Sequence, residues 1–108
     1  MTFNREFRID ALLYMQRALW QMVTPELRGV AIKVGENLVH GRMIYEREPT
    51  EDERELVSEV ETELIADFLP EVEVVVVPDW ARPPPRVELQ PGEEWVYLRR
   101  ETGRTLGP

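Results

Sequence analysis

The chain has 108 residues, 43% hydrophobic and 31% charged, with a formal net charge of −8; this is the composition of an ordinary globular domain with material for one hydrophobic core and not two. It contains no cysteine, which excludes disulfides, thiolate metal sites and a thiol nucleophile. The excess of carboxylates repels DNA, RNA and anionic lipid while steering basic partners toward the protein, so nucleic acid and membrane are not expected as partners.

The acidity is unevenly placed. Residues 1–50 hold 7 Lys or Arg against 6 Asp or Glu, whereas 51–108 hold 6 against 15. No apolar run approaches the roughly 20 residues a membrane span needs, and the opening MTFNREFRID lacks the charged-then-apolar pattern of a secretory leader. A cytoplasmic protein is expected.

From Arg5 to about Val23 the pattern predicts a helix capped by Asn4. Phe7, Ala11, Tyr14, Met15, Ala18 and Met22 form one apolar stripe; Ile9, Leu13 and Trp20 form a second on another side. A helix apolar over most of its circumference is covered from outside or meets another chain. The long segment near residues 79 to 91 is the expected cover.

Thr24-Pro25-Glu26 breaks this helix, and the alternation changes to period two. Val30, Ile32 and Val34 point one way, then Val39, Met43 and Tyr45, so a β-hairpin is predicted with its loop at Gly35-Glu36 and Ile32 opposite Val39. The other face carries Lys33, Leu38, His40, Arg42 and Ile44, partly basic and partly apolar.

Residues 50–69, TEDERELVSEVETELIADFL, predict a second helix. Thr50 and Glu53 have the spacing of a capping box, and Pro70 ends the run. Leu56, Val57, Val60, Leu64 and Phe68 share one sector, while Glu51, Asp52, Glu55, Glu59 and Glu63 lie on the remaining sides with Arg54 as the helix's only base. Such a face is either a plain solvated surface or a ridge of negative potential offered to a partner. EVEVVVVP, residues 71–78, is apolar on both sides and predicts an inner strand. A proline-rich surface segment, 79–94, follows, and Trp95, Tyr97 and Arg99 alternate with Val96 and Leu98 in a last strand. Residues 1–100 form a single domain on this basis, and 101–108 a frayed tail.

The element order α-β-β-α-β-β predicts an α+β two-layer sandwich, with two helices on one face of a mainly antiparallel four-stranded sheet. It equals the order of a ferredoxin-like fold whose first strand has moved to the end, the leading topology. The sheet face away from the helices is then open and carries His40, Arg42, Trp95 and Tyr97.

No catalytic, cofactor or metal constellation emerges. His40 is the lone histidine, and zinc needs three or four ligands. Gly29, Gly35 and Gly41 are spread over the hairpin instead of forming a phosphate loop. Glu63 and Asp67 share a helix face, where Asp67 is most simply expected to take hydrogen bonds from backbone or Arg42. Trp95 and Tyr97 could stack nucleic-acid bases, but the charge has the wrong sign.

Three stretches, LLYMQRALWQMVTPELRGVAI, YEREPTEDERELVSEVETELIADFLPEVEV and GEEWVYLRRE, resemble a family of small bacterial immunity proteins, the cognate inhibitors of secreted or contact-delivered toxins. The resemblance implies a cytosolic, non-enzymatic protein that works by tight binding. In that role Glu51, Asp52, Glu55, Glu59 and Glu63 supply the field toward a basic toxin domain, and Trp20, Trp95 and Tyr97 supply apolar contact. The rival expectation is a self-associating structural or regulatory domain, a homodimer formed through Ile9, Leu13 and Trp20 or through the open sheet face with Trp95 and Tyr97.

Overall fold

The computed structural model describes residues 4–101, in the order α1 (Arg5–Ala18), β1 (Leu27–Gly35), β2 (Leu38–Tyr45), α2 (Glu51–Ala66), β3 (Glu73–Trp80) and β4 (Glu93–Leu98). The Asn4 side chain accepts from the Glu6 and Phe7 amides at 2.9 and 3.1 Å, satisfying two donors that no helical carbonyl can reach. α1 stops earlier than its apolar pattern, because Gln21 takes a left-handed backbone with φ of 66°. Trp20 and Met22 therefore sit in the turn that follows. In α2 the capping box is present: Glu53 N–H donates to Thr50 Oγ1 at 3.1 Å and Thr50 N–H to Glu53 Oε1 at 2.8 Å. The helix ends at Ala66, with Asp67 as its C-cap.

The sheet is mixed, with strand order β3-β2-β1-β4. β1 pairs antiparallel with β2 and with β4, whereas β2 and β3 are parallel. This corrects the mainly antiparallel sheet and the permuted ferredoxin-like topology, which would have made β3 and β4 neighbours. The reason lies in α2. Parallel strands need a crossover, and β2-α2-β3 is such a unit. β3 is accordingly an edge strand and not an inner one; its apolar run reflects the crossover instead of central burial.

The hairpin turns at Glu36-Asn37, one residue later than expected, because Asn37 accepts the left-handed backbone there (φ 55°). Ile32 consequently pairs with Gly41, and Val34 with Val39. The shift is even, so the apolar rows keep their common face.

On that face Val30, Ile32, Val39, Met43, Tyr45 and Val76 join Ala11, Met15 and Ala18 of α1 and Val57, Val60 and Leu64 of α2 in one buried cluster. Gly41 makes room for Met15 of α1: a Cβ there would lie 2.9 Å from Met15 Cε. Phe68 meets Phe7 and Tyr14 edge-on, with centroids 5.6 and 5.2 Å apart.

The opposite face is not open. β3 and β4 are the two edges of the sheet, so residues 81–92 must cross its width, about 14 Å for three strand spacings. They are tied down along the way. Arg28, fully buried in the irregular register between Leu27 and Gly29, donates to the carbonyls of Ala81 and Pro85 at 2.7 and 3.0 Å. Arg42 donates to the Glu88 carbonyl at 3.3 Å and pairs with Asp79 and Glu93. Ala31 and Ile44 on this face are buried.

Trp95 and Tyr97 do not share a face either. Trp95 pairs with Ala31, yet Tyr97 pairs with Val30, so Val96 sits in a bulge that turns the two rings to opposite sides. Trp95 packs over Gly29, where a Cβ would lie 2.7 Å from Cζ3, and Tyr97 packs against the main core.

Candidate functional site

The exposed face of α2 is built by its periodicity. Turning Val57, Val60 and Leu64 into the core leaves Glu51, Asp52, Glu55, Glu59 and Glu63 exposed on the outside. None of these carboxylates forms an ion pair among the described residues. The others on the helix are engaged: Glu53 is buried and bound by Arg47 through both oxygens at 2.6 and 2.9 Å, and Glu61 accepts from Val76 N–H at 2.9 Å. Asp67 pairs with Arg17 at 3.3 Å, and not with Arg42. The Arg47 guanidinium, with the Thr50 amide, holds Glu53 below the usual carboxylate range.

Glu51 and Asp52 gain from the positive end of the helix dipole. Glu55, Glu59 and Glu63 do not. Four residues apart and alike in sign, each adjacent pair costs about 0.2–0.5 kcal/mol of helix stability.

α1 and α2 run antiparallel, since Phe7 meets Phe68 while Met22 lies against the middle of α2. Met22, Ser58, Glu59, Thr62 and Glu63 line a shallow depression of about 240 Å³. Trp20, 71% exposed, and Val23 flank Met22 in the same turn. A carboxylate pair beside a thioether can hold a cationic side chain by its charge and by its aliphatic stem.

A protein-family model described as MafI2 immunity protein matches residues 8–101. The chain belongs to the MafI2 immunity protein family. The matched stretch spans β1 to β4, α2 and all of α1 after Phe7, together with the strap over the second sheet face. No curated protein matches the chain.

For this MafI2-family chain, the structure joins some of the sequence-derived site residues and separates others. Glu59 and Glu63 share the depression, with Trp20 in the adjoining turn. Trp95 and Tyr97 lie on β4, one over Gly29 and the other against the core. Sequence reasoning missed Ser58 and Thr62, whose short side chains on the polar side of α2 are what leave room for a depression. Met22, expected in the apolar stripe of α1, lies past the helix end yet still packs against the core, and its other side lines the depression.

His40 Nε2 lies 2.5 Å from Glu73 Oε2 on the second sheet face. Among the described residues no three His, Asp or Glu side chains gather in a way that could hold a metal ion. Among the described residues no helix is long and apolar enough to cross a membrane.

Proposed function

We propose that the chain neutralises a cognate bacterial toxin in the cytoplasm by binding it, without catalysis, and that the outer face of α2 receives a basic surface of that toxin. Family membership supports the class of function. The observation that carries the choice of surface is the division of carboxylates on α2: those facing inward are matched to Arg47, Arg17 and the Val76 amide, while Glu51, Asp52, Glu55, Glu59 and Glu63 have no ion pair among the described residues, the last three at a cost to the helix. In this proposal the domain has two helices on one side of the sheet and the strap on the other, so α2 offers charge while Met22, at the depression, offers apolar contact. Trp95 and Tyr97, half-buried on β4, would touch the toxin only at the margin.

The test is capture of the toxin from the source organism on immobilised protein, comparing wild type with Glu55→Lys/Glu59→Lys/Glu63→Lys. Retention by wild type and loss by the variant is the expected result. Equal retention by a variant of unchanged circular dichroism would reject α2 as the docking face.

A further inference from the structure

The second apolar stripe of α1 is not covered by any described residue. Ile9, Leu13 and Trp20 are 43%, 55% and 71% exposed, and with the exposed Gln16 they follow spacings of four, three and four residues. Ile9, Leu13 and Gln16 have the spacing of a pairing seam on α1, and Trp20, whose N–H reaches the Arg17 carbonyl in the turn just past the helix, continues it. The proline-rich strap, which could have shielded it, is bound to the far side of the sheet by Arg28 and Arg42. A seam this apolar on an otherwise highly charged chain calls for an occupant.

The flanking charges identify that occupant. Asp10 and Arg17 lie seven residues apart on the same side of the seam, so they follow one another along α1. The Arg17 side chain is 54% exposed, bound only by a long 3.3 Å contact to Asp67 and lying 5.4 Å over the Tyr14 ring. Consider a second α1 laid antiparallel on the first about a two-fold axis near Tyr14 and Met15. Ile9 then meets Trp20 of the other copy, Leu13 meets Gln16, and Asp10 faces Arg17, each contact occurring twice. Moving the register by one heptad sets Asp10 against Asp10 instead. A parallel pairing brings Arg5 beside Asp10 and leaves Arg17 against Leu12 of the other copy. One arrangement satisfies both the seam and its flank, and its partner is this same sequence.

We infer that the chain forms a two-fold homodimer through antiparallel α1 helices, with Ile9, Leu13 and Trp20 as the buried seam and reciprocal Asp10–Arg17 pairs as its register lock. The dimer is separate from the toxin proposal, which requires only α2, and it is tested with no toxin present.

The experiment is sedimentation of the full chain from about 1 µM to about 1 mM, the range in which an interface of modest size dissociates. Circular dichroism confirms that each variant is folded. Wild type is expected to form dimers, and Leu13→Glu to remain monomeric throughout. Asp10→Arg, which sets like charges together, should raise the dissociation constant at least tenfold. Asp10→Arg/Arg17→Asp should restore it to near the wild-type value. A wild-type monomer across the whole range would assign the stripe to a different partner and overturn the inference. So would a dimer indifferent to Leu13→Glu, or a double variant no better than Asp10→Arg alone.

Discussion

Arg28 donates through Nε and Nη2 to the two oxygens of Glu101 at 2.6 and 2.7 Å, joining residues 73 apart in sequence. The guanidinium is fully buried, and its remaining donors hold the strap carbonyls of Ala81 and Pro85. Glu101 also accepts from Arg99, which in turn reaches Glu46 and the Pro25 carbonyl. Glu101 therefore belongs to the folded body and not to the frayed tail that its position in the sequence implied; residues 102–108 lie outside the described residues.

Arg28→Ala should cost about 3 kcal/mol, since it removes the donors to two carbonyls and leaves the half-buried Glu101 carboxylate with Arg99 alone. Urea unfolding would measure the loss. Arg28→Lys should recover only a small part of it, because an ammonium cannot reproduce the planar two-bond fork toward Glu101.

The same pair sets the acid response. Arg28, then Arg99, lowers the Glu101 carboxyl from 4.5 to about 2, despite partial burial. A carboxylate whose folded value lies below its unfolded one stabilises the fold above the unfolded value, and that contribution is lost as pH falls toward the folded value. Glu53 and Glu94 move the same way through hydrogen bonds from Arg47 and Arg8. The urea midpoint should thus fall as pH drops through the window between 4.5 and about 2. Glu101→Gln, already weaker at neutral pH, should show a shallower fall.

Tyr45 is fully buried, and among the described residues its hydroxyl has no hydrogen-bond partner. Burial, reinforced by the Glu53 charge, pushes it from 10.0 up to about 12. Folding therefore favours the neutral phenol, so stability is intact below the unfolded value and declines as pH rises from 10.0 through about 12. Tyr45→Phe removes an unsatisfied hydroxyl while keeping the ring. It should leave stability at neutral pH unchanged or raise it by about 1 kcal/mol, and abolish its own share of the alkaline loss.

The outer edge of β3 is blunted against further strands from Val76 to Trp80. Val76 N–H is taken by Glu61 at 2.9 Å, Trp80 N–H by Asp79 at 2.8 Å, and Pro78 between them has no N–H to offer. Edge strands so treated resist pairing with other chains. Glu61→Ala/Pro78→Val should reopen the edge. Time-resolved light scattering of the variant should reveal aggregation absent from wild type.

Local signals in the sequence were sufficient where the physics is local. Thr50 and Glu53 announced a capping box, Asn4 a cap, and the alternation of Val30, Ile32 and Val34 a face that survived an even shift in register. The failures came from contacts distant in sequence. Nothing near Arg28 says that it will be buried, because its partners are Ala81, Pro85 and Glu101. Nothing in Trp95-Val96-Tyr97 says that Val96 will bulge, since the bulge depends on Gly29 making room for the indole. The parallel β3 could have been inferred from its strand-helix-strand context, but the short chain made hairpin pairing the simpler choice. For the candidate site, the acidic face was readable from periodicity alone. The depression was not, because it depends on where α1 stops.

In the proposed function, unmatched charge on the outer face of α2 draws in a basic toxin. The most direct test is the association rate with the captured toxin, measured by stopped flow at about 20 mM and about 300 mM salt, between which the Debye length shortens several-fold. The wild-type rate is expected to fall at least tenfold across that range, and that of Glu55→Lys/Glu59→Lys/Glu63→Lys much less. A wild-type rate that does not change with salt would contradict the proposed function.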